Sequence, residues 1–117
     1  MCLPNASPLA EMRGHIERQA AALMARHHMV FLSGDHSVTL ALLRAAQKRH
    51  SPLALMHFGV HCDTWKDHFG EPSGHGTWTY EAIQEGLVNP RRTVQIGLIY
   101  TARSLRGKDG DGLLPVV

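Results

Sequence analysis

The chain has 117 residues, 44% of them hydrophobic and 19% charged, which suits one folded domain over residues 1–117 and excludes global disorder. Twelve Lys and Arg against ten Asp and Glu leave a formal charge of only +2, with no dense basic block, so no nucleic-acid partner is expected. No apolar run is long enough for a bilayer, no secretory pattern opens the chain, and Cys2 and Cys62 are too few for a disulfide framework; the expectation is a cytoplasmic protein without a membrane partner.

Ser7-Pro8 predicts a helix start, and Leu9, Met12, Ile16, Ala20 and Leu23 recur at spacings of four and three, giving an amphipathic helix over about residues 8–27. Glu11, Glu17, Arg13 and Arg18 read as its charged outer face. Met29-Val30-Phe31-Leu32 reads as a short buried strand. Ser37 is a cap for a second helix over about residues 38–49, with Val38, Leu42 and Ala45 on one face and His50-Ser51-Pro52 as its end. Leu53-Ala54-Leu55-Met56-His57-Phe58 reads as a second buried strand. Residues 59–76, rich in Gly, His and Asp, read as a long functional loop. Thr77 to Glu85 predicts a short helix stopped by Gly86, Asn89-Pro90 a turn, and residues 93–99 a third strand. The tail from Gly107 is expected to be poorly ordered.

Strands alternating with helices imply β-α-β units and a parallel sheet, whose ligands gather at the carboxyl ends of the strands. Asp35-His36 follows the first predicted strand and His61-Cys62-Asp63 the second. Of nine histidines, His36 and His61 therefore fall at one sheet edge together with Asp63. Imidazole with carboxylate suits a divalent zinc, manganese or iron ion. In an extended stretch, His61 and Asp63 would face the same way and Cys62 the other. His57, inside its strand, reads as a packed histidine, and Trp65 and Trp78 as loop packing.

Gly34-Asp35-His36-Ser37 resembles the Gly-Gly-Asp-His-Ser motif of the ureohydrolases, the arginase and agmatinase family. His57-Phe58-Gly59-Val60-His61-Cys62-Asp63-Thr64 is similar to their His-Phe-Asp-Ala-His-x-Asp-Thr segment. His75-Gly76-Thr77, Glu85-Gly86-Leu87-Val88 and Val94-Gln95-Ile96-Gly97 follow in the order found in agmatinases, so the resemblance covers about residues 29–99. It implies a three-layer α/β/α arginase-like parallel sheet, here partial with about three strands. It also implies a binuclear manganese site that hydrolyses a guanidino group, such as that of agmatine, to urea and an amine. On that resemblance His36, His61 and Asp63 correspond to metal ligands, His75 to the catalytic histidine and Asp35 to a supporting residue.

Two departures qualify what the resemblance implies. Gly59 stands where the family has an aspartate that bridges both metals, and glycine has no ligand atom. The later Asp-x-Asp ligand motif has no counterpart; Asp109-Gly110-Asp111 has the spacing but no apolar strand before it and reads as a solvated tail. The expectation is an agmatinase-like ureohydrolase domain that is truncated and impaired, holding at most one divalent ion. The alternative is a non-catalytic metal-binding remnant or an oligomerisation partner of a ureohydrolase. A homo-oligomer is also expected, because a short parallel sheet leaves edges and one face poorly covered.

Overall fold

The computed structural model describes residues 8–50, 52–67, 70 and 72–99. Cys2, Ser7, His68, the tail from Gly107 and the Asp109-Gly110-Asp111 triplet lie outside those residues. The described residues form α1 (Leu9–Met24), α2 (Val38–Gln47), β1 (Leu53–Phe58), α3 (Trp78–Gln84) and β2 (Val88–Ile96). The two strands are parallel neighbours, with α3 in the connection between them, which is the predicted β-α-β arrangement.

The first predicted strand is not formed. Residues 29–32 are irregular, with Val30 85% and Leu32 94% exposed. An apolar run becomes a strand only where a neighbour takes up its N–H and C=O groups, and among the described residues β1 pairs with β2 alone. The sheet is therefore two-stranded rather than three-stranded. β1 is also one-faced rather than buried on both faces: Leu53 and Leu55 pack on the core and His57 is buried, while Met56 and Phe58 point outward and are exposed. This is the alternation that the pleat imposes.

Asn89-Pro90, predicted as a turn ahead of the third strand, lies inside β2. The pairing runs from Leu53 opposite Val88 to Leu55 opposite Thr93, so β2 makes an excursion between these points. Asn89 closes it, accepting the Arg91 N–H at its side-chain oxygen (2.9 Å) and the Thr93 hydroxyl at its carbonyl (2.9 Å). The turn chemistry was read correctly and the strand boundary was not. Regular pairing then holds to Phe58 opposite Ile96.

The buried helix faces overlap those predicted, sharing Ile16, Ala20 and Ala45, but are turned from them. α1 buries Arg13, Ile16 and Ala20 while Leu23 is exposed, so Arg13 belongs to the inner face and not to the charged outer one. α2 buries Leu40, Ala41 and Ala45. Its N-terminal residue Ser37 makes no side-chain cap; the Asp35 carboxylate instead accepts the Ser37 N–H at 2.8 Å. α3 ends as predicted at Gly86, whose φ of 69° is open to glycine. There Gly86 N–H reaches Ile83 O (3.1 Å) and Leu87 N–H reaches Ala82 O (2.9 Å), a Schellman closure. This closure turns Leu87 and Val88 into the core made by Leu40, Trp78 and Ala82, which fastens α3 to the start of β2.

Among the described residues no helix is long and apolar enough to cross a membrane. The outer face of β1 leaves Met56 and Phe58 exposed, and Val30, Leu32, Trp65 and Ile99 are exposed as well. Surface of this kind drives association. The isolated chain is expected to sediment as dimers or larger species at micromolar concentration, and Phe58→Lys with Met56→Lys should shift it toward monomer. A clean monomer from the unaltered chain would refute this.

Candidate metal centre

The site is built where the chain leaves β1 and enters α2. After Phe58 the backbone stays paired with the end of β2 and the segment that follows it: Gly59 N–H reaches Ile96 O and Ile99 N–H reaches Val60 O, both at 3.1 Å. The chain then turns inward at Asp63, which adopts φ 51°. A non-glycine residue in the left-handed region is uncommon, and Asp is among the residues that tolerate it. Residues 61–63 are therefore not uniformly extended. Asp63 is buried and His61 is exposed, so the two do not share a face by strand alternation.

Asp63 is held from α3. Its carbonyl accepts the Thr79 N–H (3.0 Å) and its Oδ2 accepts the Trp78 indole N–H (2.9 Å). The same Oδ2 lies 3.0 Å from His36 Nδ1 and 4.0 Å from His57 Nε2. His36, His57 and Asp63 thus bring ligand atoms within 4.8 Å of one another, the kind of nitrogen and oxygen set that suits a divalent ion. Trp78, 1% exposed, packs against both imidazoles, with ring centroids 5.0 Å from His36 and 5.1 Å from His57. It is a core residue of α3, not loop packing, and the sequence reading missed that it orients Asp63.

The structure brings two of the three predicted ligands together, His36 and Asp63; His61 is not in that group, and His57 occupies the third place. His57 is nevertheless packed, as predicted, because Gln95 constrains it. The Gln95 amide nitrogen lies 2.7 Å from Cys62 O and 2.9 Å from His57 Nδ1. Reversing the amide would set two oxygens against each other at Cys62, so the NH2 group donates to both. His57 Nδ1 is then an acceptor and its proton sits on Nε2, toward Asp63. A ring nitrogen carrying a proton offers no lone pair to a metal. Burial also lowers the His57 pKa, against the raising charge of Asp63, which keeps the ring neutral. His57 in this state faces Asp63 from 4.0 Å, beyond hydrogen-bond reach, and is not poised as a ligand. Gln95 was visible as a polar residue in an apolar strand, and a buried amide must find partners.

Beside this group lies a second pair. His75 Nδ1 is 3.0 Å from Asp35 Oδ1, and both side chains are substantially exposed. Burial acts to raise the Asp35 pKa, but the hydrogen bonds from Ser37 and the nearby His75 and Arg13 outweigh it, and the net shift is downward. Asp35 therefore stays ionised as an acceptor. A cavity of about 420 Å³ lies against Asp35 and His36, walled by Phe31, Val38 and Leu42.

The arginase family model matches residues 4–109, and the chain belongs to the arginase family. Among curated relatives, the agmatinase of Chromobacterium violaceum is 43% identical over 93 residues, covering 79% of this chain and 29% of that protein. Among solved structures, a hypothetical agmatinase from Burkholderia thailandensis superposes with a TM-score of 0.80 at 32% identity, over 98% of this chain and 34% of that one. Proclavaminate amidino hydrolase from Streptomyces clavuligerus superposes with a TM-score of 0.75 at 30% identity, over 87% and 34%. The fold is thus arginase-like and partial, and the chain spans less than a third of the length of the curated relatives it matches.

Proposed function

We propose that this chain carries part of an agmatinase-like ureohydrolase site, directed at the guanidino group of a small amine such as agmatine and acting in the cytoplasm. The observation that carries the reading is the gathering of His36 and Asp63 beside the Asp35–His75 pair, in a member of the arginase family. His36 and Asp63 would hold a divalent ion, manganese on the family resemblance, with His61 as the further ligand that resemblance supplies. Such an ion supplies Lewis acidity toward water and the substrate. The ionised Asp35 accepts the His75 Nδ1–H and fixes the ring, which leaves Nε2 as the atom that takes or gives a proton. Asp35 is also the acidic residue of the adjoining cavity and suits a cationic guanidino head.

A second reading is favoured by Gly59: a metal-binding remnant that holds one ion weakly and releases no urea. Two cations a few ångströms apart repel strongly unless anions bridge them, and position 59 offers no anion. Urea release from agmatine, arginine and guanidinobutyrate with manganese present separates the two readings.

Gly59→Asp should tighten the first manganese ion about tenfold, a gain of about 1.4 kcal/mol. A Cβ at position 59 would lie 3.0 Å from His57 Nε2, so the ring must yield by a few tenths of an ångström. It meets the protonated nitrogen there, which a carboxylate can accept. Turnover should not return, because one carboxylate does not restore a bridged pair. Calorimetry on both chains tests this; two tight equivalents in the unaltered chain would overturn it.

A further inference from the structure

We propose that Arg13 is a positioning residue that sets the spacing between the two loops carrying Asp35–His36 and His75. The proposal rests on the ureohydrolase reading for its functional meaning, but its geometry stands alone. Arg13 is 4% exposed on the inner face of α1. Its Nε–H donates to Ser37 O at 3.0 Å, at the end of the loop that carries Asp35 and His36. One terminal nitrogen donates to Ser73 Oγ, two residues ahead of His75, and lies 3.5 Å from Glu81 Oε2 on α3.

The third corner is equally tied. Ser73 Oγ lies 2.8 Å from both Glu81 carboxylate oxygens, and the Thr77 hydroxyl lies 2.6 Å from Glu81 Oε1 while accepting the Gly74 N–H at 2.8 Å. Residues 73–77 are thereby fastened at both ends, with His75 between them. A planar guanidinium presents several donors in a fixed fork, so one side chain spans the Ser37 and Ser73 segments at a set separation. Lysine has one donor atom and cannot span them. The distance fixed in this way is the one across which His75 Nδ1 meets Asp35 Oδ1. An ion pair that merely anchored α1 to α3 would need only Glu81 and would leave the His75 ring indifferent.

The readout is the His75 tautomer, observed by NMR of ¹⁵N-histidine-labelled chain at about pH 8, where an ordinary histidine is neutral. The proton of a neutral imidazole sits where the other partner directs it. In the unaltered chain His75 should be mainly the Nδ1–H form, donating to Asp35. Arg13→Lys keeps the charge beside Glu81 and should shift His75 to mainly the Nε2–H form, which an unheld imidazole prefers. Ser73→Ala cuts one arm of the fork together with the Ser73–Glu81 contacts, leaves the Arg13–Glu81 and Arg13–Ser37 contacts, and should shift the tautomer in the same direction with a small change in melting temperature. If Arg13→Lys fails to fold, Ser73→Ala decides. A His75 ring that stays Nδ1–H in the folded variants overturns the proposal. Failure of the ureohydrolase reading would appear separately, as no urea release from the unaltered chain with manganese present, and would leave the tautomer result intact.

Discussion

Trp78→Ala should abolish cooperative folding or lower the melting temperature by at least about 12 °C. The indole is 1% exposed in the core with Leu40, Ala82, Leu87 and Val88. Removing a buried aromatic costs about 3–5 kcal/mol, through lost transfer energy and the cavity left behind. In a domain of this size each kcal/mol moves the melting temperature by about 4–8 °C. The same change removes the N–H that holds Asp63 Oδ2 and the surface on which His36 and His57 pack. Trp78→Phe separates the two roles. Phenylalanine retains most of the apolar contact but leaves Asp63 without its donor, so it should melt closer to the parent while losing divalent-ion affinity about 10-fold or more, as removal of an orienting partner does. Thermal melts with manganese calorimetry on both variants make the comparison. A Phe variant with parental affinity would show that Asp63 needs no help from α3.

The features readable from sequence were those governed by nearby residues. The α3 stop at Gly86 needs only a residue free at positive φ, and the Asn89 turn only an Asx side chain, so both were legible although the second lies within a strand. The Asp63 placement was legible because it follows β1 and strand ends in a parallel sheet gather ligands, whereas Asp35–His36 reaches the same place without the strand predicted ahead of it. Features that depend on distant partners were not. Residues 29–32 have the composition of a strand, but no described neighbour pairs with them. Arg13 follows the helical period of Ile16 and Ala20 yet was assigned to solvent, because nothing local announces Ser37, Ser73 and Glu81 as its partners. His57 and Gln95 are 38 positions apart, and a tautomer set across that separation is a tertiary fact.

Asp63→Asn should reduce divalent-ion affinity by at least about 100-fold, more than the loss of an orienting neighbour, while keeping the fold. Asparagine is the nearest shape to aspartate and, like it, tolerates the φ of 51° adopted here. Its amide oxygen can still accept the Trp78 N–H, and its backbone carbonyl still takes the Thr79 N–H. The net change in stability should be about 1 kcal/mol, the usual worth of an altered hydrogen bond. What it removes is the negative charge next to His36 and His57, and with it the one anionic oxygen of the cluster. Asp63→Ala is the contrasting variant. It strands the buried indole N–H without an acceptor, at about 1–3 kcal/mol, and sets an alanine in the left-handed region. Alanine should therefore lose both ion and stability, and asparagine the ion alone. Manganese calorimetry beside thermal unfolding reads both quantities, and an Asn variant that binds as the parent does would move the ion site away from Asp63.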